Sequence, residues 1–324
     1  MKNILVLIPN FHGYENDIAN SIKYEGYNVK NFSCTIKLTF LDRLIKKITS
    51  KFVQRKFDNY FNKFICSHKH EKFDYVVLFF GGHYINEYHI DIMRKTFEDA
   101  FFIFYAWDSV ELFPNIKKFY KMFDRYYSFD DYDCKKYGFK FLPLFYIEKN
   151  ENTDIKYDVS TVMTFSYLKA KNYFNILSAL PSNLNMFLFL RYEHRSTYIW
   201  NKLVHKDLLK NFKMSDFSFK GISTKESNNI YNSSKAVIEC LLDGQHGLSI
   251  RAFETLSKNR KLITTNANIK NYPFYTPNNI FVCEKENEII PISFFEDPFD
   301  LNYKISEEYS ISNFLKKLLN DKND

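Results

Sequence analysis

Glycine is scarce in this chain: eight among 324 residues, alongside eight prolines and two tryptophans. Long apolar runs are missing too. None reaches the roughly 18–20 residues that a membrane-spanning helix needs, so no bilayer span is expected. The opening "MKNILVLIPNFHGYEN" has a short apolar run and no small-residue cleavage site, which argues against a signal peptide. Cysteines are few and odd in number: Cys34, Cys66, Cys134, Cys240 and Cys283. They are scattered and never spaced C-x-x-C, which excludes a disulfide framework or cysteine zinc site and points to reduced thiols in the cytosol. "HKH" at His68–His70 lies in a basic, polar stretch and lacks the spacing of a built metal site. The phosphate-loop pattern G-x-x-x-x-G-K-[ST] is absent, as is the G-x-S-x-G elbow of serine hydrolases.

What is present is a globular composition, 45% hydrophobic and 26% charged, with an aromatic share of 19%. The net charge of +7 is localised. Between Ile36 and Phe73 ten basic residues face three acidic ones, an excess equal to that of the whole chain. Within this segment Leu41, Leu44, Ile45, Ile48 and Phe52 follow helical spacing, with Lys46, Lys47, Lys51 and Arg55 at other angles. Two readings stand side by side: core-facing helix with a solvated basic side, or helix resting on an anionic membrane surface. No recognised nucleic-acid module accompanies the charge, so nucleic acid is not an expected partner.

Along the chain, apolar strands alternate with helices. "NILVLIP", "YNVKNF", "YVVLFF", "AFFIFYA", "RYYSF" and "KFLPL" are strand runs, with helices near Tyr14–Gly26, Asn86–Phe97, from Pro114, and after "RYYSF". Polar "IEKNENTDIKYD" (Ile147–Asp158) reads as a linker. A second series follows: "VSTVMTF", "NMFLFL", "FSFKG", "KAVIEC", "KLITTN" and "NIFVC", then an amphipathic terminal helix. Continuous apolar strands between helices indicate α/β structure with parallel sheets covered on both faces. Two doubly wound halves are expected, residues 1–148 and residues 149–324, the second including the terminal helix. Ligands of such sheets bind beyond the carboxyl ends of the strands. Five of the eight glycines (Gly13, Gly81, Gly82, Gly244 and Gly247) fall in those loops, where backbone must approach a ligand closely.

The stretch "GLSIRAFETLSKNRKLITTN" (Gly247–Asn266) concentrates the chemistry. A helix N-terminus suits phosphate, and Gly247 leaves the approach open. Arg251 would pair with a diphosphate, and Glu254, three residues on, would accept hydrogen bonds from ribose hydroxyls. An ordinary amphipathic helix, with Leu248, Ala252, Phe253 and Leu256 as core and Arg251–Glu254 as a surface pair, explains the same pattern. "DGQHGLSIRAFETLSKNRKLITTN", with "IKNYPFYTPNNIFV" beyond it, resembles the C-terminal signature of bacterial GT-B glycosyltransferases from capsule and lipopolysaccharide (O-antigen) loci, the CgeB-like group. Residues Tyr105–Tyr146 resemble the matching N-terminal segment. The resemblance implies GT-B architecture: two Rossmann-like domains facing across a cleft, with a C-terminal helix. It implies a nucleotide-sugar donor held by Gln245, His246, Gly247, Leu248, Arg251 and Glu254, with no metal and no further cofactor. Many retaining members carry a glutamate where this chain has His246, which leaves inverting and retaining transfer both open. Ser249 stands where threonine is commoner.

An inverting transfer needs a base to take the acceptor proton. His12, Glu15 and Asp108 follow strands of the first half and are the candidates, with His83 behind them. "DYD" at Asp131–Asp133 matches the D-x-D motif of the metal-dependent transferase fold, but Asp130 or Asp131 would equally cap the helix that follows. The resulting expectation is a cytoplasmic glycosyltransferase, peripheral to the inner membrane face, acting on a lipid-linked saccharide in surface polysaccharide synthesis. The alternatives are a metal-dependent transferase using Asp131 and Asp133, and a sugar-binding scaffold without catalysis.

Overall fold

The computed structural model describes residues 1–10, 13–39, 42, 49–81, 84–147, 154–242 and 244–320. It divides into two compact units: Met1–Pro143 together with the terminal helix Ile311–Asn320, and Leu144–Ser310.

The first unit runs β1 (Asn3–Ile8), α1 (Tyr14–Tyr24), β2 (Asn28–Ser33), α2 (Ser50–His68), β3 (Tyr75–Phe80), α3 (Glu87–Thr96), β4 (Phe101–Ala106), β5 (Arg125–Ser128), α4 (Asp131–Tyr137) and β6 (Lys140–Phe141). All strands are parallel, in the order β2-β1-β3-β4-β5-β6. Every residue of β3 is buried, as expected of a strand covered on both faces. Where a helix was expected from Pro114, two 3-10 turns appear, Pro114–Lys118 and Tyr120–Met122. At three residues per turn they put Ile116 and Phe119 on one buried face.

The basic helix α2 buries Val53, Phe57, Phe61 and Ile65, a stripe at i, i+4, i+8 and i+12. Phe57 and Phe61 pack on Phe32 of β2, with ring centroids 6.2 and 5.7 Å away. Lys51, Arg55 and Lys56 lie on the exposed side, and Lys56 pairs with Asp42 at 2.7 Å. Phe52, expected in the apolar stripe, is 42% exposed, because the core stripe is set one residue further on. Lys46 and Lys47 lie outside the described residues. In its described part the segment is thus a core-facing helix with a solvated basic side. Among the described residues no helix is long and apolar enough to cross a membrane.

The second unit contains β7 (Tyr157–Thr164), α5 (Ala170–Ala179), β8 (Met186–Arg191), α6 (Arg195–Val204), β9 (Phe217–Ser218), α7 (Thr224–Asn232), β10 (Ser234–Glu239), α8 (Ile250–Ser257), β11 (Lys261–Thr264), β12 (Ile280–Val282) and the short α9 (Ser293–Glu296). Its sheet is again parallel, ordered β12-β11-β10-β7-β8-β9. Strand order reverses between β1 and β3 in one sheet and between β7 and β10 in the other. Crevices open at such reversals, beyond the carboxyl ends of the strands.

The terminal helix α10 (Ile311–Asn320) belongs to the first unit, not to the second as its place in the sequence suggested. Ile311, Phe314, Leu315, Leu318 and Leu319 form its buried face. Phe314 meets Phe79 and Tyr105 at 6.4 and 5.0 Å between centroids, and Ser312 bonds to Glu25 after α1. Apolar complementarity with the first sheet overrides sequence proximity. The unit boundary falls after Pro143; the core of the expected linker, residues 148–153, lies outside the described residues.

Candidate functional site

The β7/β10 crevice of the second unit holds a cavity of about 190 Å³. It is lined by Asn172 at the start of α5, by the loop after β10 including Gln245 and His246, and by Thr265–Asn268 after β11. Pockets for drug-sized ligands run to roughly 300–1,000 Å³, so this cavity suits a polar fragment such as a diphosphate or a hexose.

The loop after β10 is fixed from two sides. Asn266 donates through Nδ2 to the carbonyls of His246 and Gly247, both at 3.1 Å. Asn268 Nδ2 adds a bond to the His246 carbonyl at 2.9 Å. Asn266 Oδ1 meanwhile accepts from the Asn268 amide at 3.0 Å, capping the 3-10 turn Ala267–Asn271. From beneath, the buried Glu239 at the end of β10 accepts hydrogen bonds from the Ser249 hydroxyl and, at 2.7 Å, from Thr264. Burial pushes the Glu239 carboxyl above the usual carboxylate value. The two hydroxyls, Arg251 and Lys169 hold it back.

Ser249 also accepts from the Arg251 amide at 3.2 Å and is the N-cap of α8. The helix therefore opens at Ile250, not at Gly247, because a hydroxyl satisfies the first-turn amide. Gly247 and Leu248 are buried, Leu248 as core, and neither lines the cavity. Arg251 and Glu254 come together as the helical spacing implied. They share a small depression with Tyr231, Lys258 and Arg260 rather than the cavity of Gln245 and His246. The Arg251 guanidinium lies 4.3 Å from the Tyr231 ring. That ring is locked by Tyr231 Oη, which donates to the Val162 carbonyl at 2.7 Å and accepts from its amide at 3.0 Å.

Sequence reading missed Lys169, in the loop after β7. Burial holds its ammonium below the ordinary lysine value, with Cys240 and Glu239 favouring the charge and Arg251 opposing it. A cation at a strand end beside the crevice was legible in "SYLKAK", but an isolated lysine carries no pattern. Asn172, Asn266 and Asn268 were hidden for the same reason in an asparagine-rich chain.

In the first unit Asp108 follows β4 and is half-buried, and burial pushes its carboxyl to about 6. Gly81, beyond the end of β3, is required here. A Cβ on it would stand 2.3 Å from Trp107 Nε1 and 2.7 Å from Asp108 Oδ2. Glu15 lies in the first turn of α1, where a carboxylate complements the helix dipole. His12 and His83 lie outside the described residues. The D-x-D pair diverges: Asp131 pairs with Lys135 at 3.0 Å on the surface, whereas Asp133 is buried. Asp130 caps α4 by accepting from the amides of Tyr132 and Asp133. Asp133 Oδ2 accepts from the Val110 amide at 2.7 Å, anchoring the loop that carries Asp108. Among the described residues no group of three or more His, Cys, Asp or Glu side chains is arranged to hold a metal ion.

Two parallel six-stranded sheets in two Rossmann-like units are the architecture of the GT-B glycosyltransferases. Solved structures share it along the full chain. A glycosyltransferase from Rickettsia africae matches with a TM-score of 0.53 at 12% identity, covering 100% of this chain and 99% of that one. Anabaena Alr3699/HepE in complex with UDP matches at 0.56 with 10% identity, covering 99% of each chain. A UDP-GlcNAc 2-epimerase from Neisseria meningitidis bound to UDP-GlcNAc matches at 0.53 with 9% identity, again covering 99% of each. No family model matches the sequence, and no curated protein does. At these identities the likeness establishes the fold, and the reaction has to be argued from the site.

Proposed function

We propose that the protein is a metal-independent glycosyltransferase that moves a sugar from a nucleoside-diphosphate sugar to a saccharide acceptor. The acceptor in this reading is a lipid-linked saccharide of a surface polysaccharide. The observation that carries the proposal is the polar cavity at the β7/β10 reversal, with Gln245 and His246 in its lining and Lys169 in the neighbouring loop. Lys169 and Arg251 supply cations for a diphosphate, and Glu254 supplies a carboxylate for ribose hydroxyls. In the first unit Asp108 is the base: a carboxyl near pKa 6 is ionised at neutral pH yet basic enough to take a proton. In an inverting transfer Asp108 removes the acceptor proton as the hydroxyl oxygen bonds to the anomeric carbon. The bond from that carbon to the diphosphate oxygen breaks, and the leaving charge falls to the two cations.

Because the neighbours named above include complexes with UDP and a UDP-sugar, UDP is the first nucleotide to test. Thermal stability should rise with UDP or another nucleoside diphosphate, since binding to the folded state stabilises it. Arg251→Ala and Glu254→Ala should each weaken that binding by about ten- to a hundredfold, the loss of a charge-assisted hydrogen bond of roughly 1.5–3 kcal/mol. Unchanged binding in both variants would return α8 to an ordinary amphipathic helix. Release of an epimerised sugar without an acceptor would replace transfer by epimerisation on the same fold.

A further inference from the structure

Helix α6 (Arg195–Val204) faces the wrong way for a soluble surface. Two polar residues of its second half point inward: Asn201 Nδ2 donates to Tyr192 Oη at 2.8 Å, and Lys202 Nζ donates to the carbonyls of Phe212, at 2.8 Å, and Leu209. Arg195 and Ser196 at its start are exposed. Tyr198, the buried residue of the helix, donates to the Phe212 carbonyl at 3.1 Å. The apolar residues point outward. Ile199, Trp200, Leu203 and Val204 are 49%, 66%, 73% and 54% exposed, and Leu208 just beyond is 40% exposed. Residues at i, i+1, i+4 and i+5 share one helical face, so these four side chains form a single patch.

The stretch of chain that carries the patch is basic. From His194 to Lys213 there are five basic residues, Arg195, Lys202, Lys206, Lys210 and Lys213, against one acidic residue, Asp207. Lys206, Lys210 and Lys213 are all exposed. The bonds from Lys202 tie the turn that carries them to the helix, and the exposed Leu208 lies between Lys206 and Lys210 in that turn.

We propose that this face of α6 docks on an anionic phospholipid surface. Tryptophan and aliphatic side chains at the level of the headgroups, with lysines reaching anionic lipid, are the chemistry of a helix lying in a membrane interface. A protein interface of standard size uses roughly 20–30 residues a side, far more than this patch offers. The contact is separate from the basic helix α2, whose apolar stripe is already used by the core. It is also independent of the transferase reading, since lipid binding is measured without sugar.

The test uses the full chain with vesicles of phosphatidylcholine, with and without phosphatidylglycerol, at low salt. The protein should co-sediment with the anionic vesicles only. The chain has two tryptophans, so Trp107→Phe leaves Trp200 alone to report. Its emission should shift to the blue and be quenched by brominated acyl chains. Leu203→Ser with Val204→Ser should lower partitioning at least tenfold. Lys206→Gln with Lys210→Gln and Lys213→Gln should lower it on the order of 100-fold, at about 1 kcal/mol or fivefold per lysine. All five positions are exposed, and circular dichroism checks that the variants fold. The proposal is overturned by no sedimentation, by an unshifted Trp200, or by binding lost only on charge reversal at Lys51, Arg55 and Lys56. Self-association that disappears in the Leu203/Val204 variant, without vesicle binding, would make the patch a contact between copies instead.

Discussion

Asn266→Asp is the sharpest perturbation of the candidate donor site, because it changes one group and preserves shape. Asn266 is buried, and its Nδ2 serves two carbonyls while its Oδ1 caps the next turn. The aspartate keeps the cap and loses both donated bonds. It also sets a carboxylate oxygen against two carbonyl oxygens. Each lost bond costs about 0.5–1.5 kcal/mol net. The His246 carbonyl keeps its bond from Asn268, and the oxygen–oxygen repulsion adds to the cost. A total of roughly 2–4 kcal/mol follows, a fall in the unfolding midpoint of about 4–16 °C for a unit of this size. Asn266→Ala should cost a similar amount by losing the cap as well. The functional consequence is separable, since the released carbonyls belong to the cavity-lining loop. Calorimetry should show the lowered midpoint, and titration with UDP should show at least tenfold weaker binding in folded variant. If Asn266→Asp melts with the wild type and binds UDP equally, the clamp does not organise the loop and the site has been misassigned.

Asp108→Asn should lower the transfer rate by about 10²–10⁴, the usual contribution of a positioned base, and remove an acid limb near pH 6 from the wild-type rate profile. The same raised pKa means that the folded state holds its proton more tightly than the unfolded chain. Asp108 therefore subtracts stability above pH 6 and not below about 4, so Asp108→Asn should melt higher than wild type at pH 7 while staying inactive. A wild-type profile flat between pH 5 and 8 would sink the role of Asp108. Transfer should persist in a chelator. Asp131→Asn should be nearly silent, and Asp133→Asn should lower the melting midpoint by weakening the Val110 bond. Activity abolished by chelation and restored by manganese would instead favour the D-x-D reading.

The architecture was legible because parallel strands buried on both faces read as unbroken apolar runs, as "YVVLFF" and "NILVLIP" do. Helix ends were legible where a side chain caps them, as at Asn86 and Asp130. The placement of α10 was not, since an amphipathic helix carries the pattern of its face and no address for the surface that buries it. Nor was the start of α8. "HGLSIR" offers both a glycine and a serine, and only the three-dimensional neighbour Glu239 shows that the serine hydroxyl is the organising group. Arg251 and Glu254 were found by helical spacing, a local property. Lys169 and Asn266 enter the site from other strand ends, and no spacing in one stretch of sequence connects them to it.

The fold leaves more than one reaction open, since transferases and an epimerase share it. What divides them must therefore lie in the side chains at the strand ends. In the second unit the described polar side chains that line the cavity, Asn172, Gln245, His246, Thr265, Asn266 and Asn268, include no carboxylate. Asp243 of the same loop lies outside the described residues. The Glu239 carboxylate underneath is occupied by two hydroxyls and sealed from solvent. A site of amides and an imidazole can orient a hexose and a diphosphate by hydrogen bonds, but among these side chains only His246 can carry a proton. His246 is one candidate to take the acceptor proton, and Asp108 of the first unit, its carboxyl pushed up to about 6, is the other. The two origins separate cleanly. If Asp108→Asn abolishes transfer while UDP binding and slow donor hydrolysis persist, the first unit supplies the base and the donor side only holds and polarises. If His246→Ala does so instead, the base sits beside the donor.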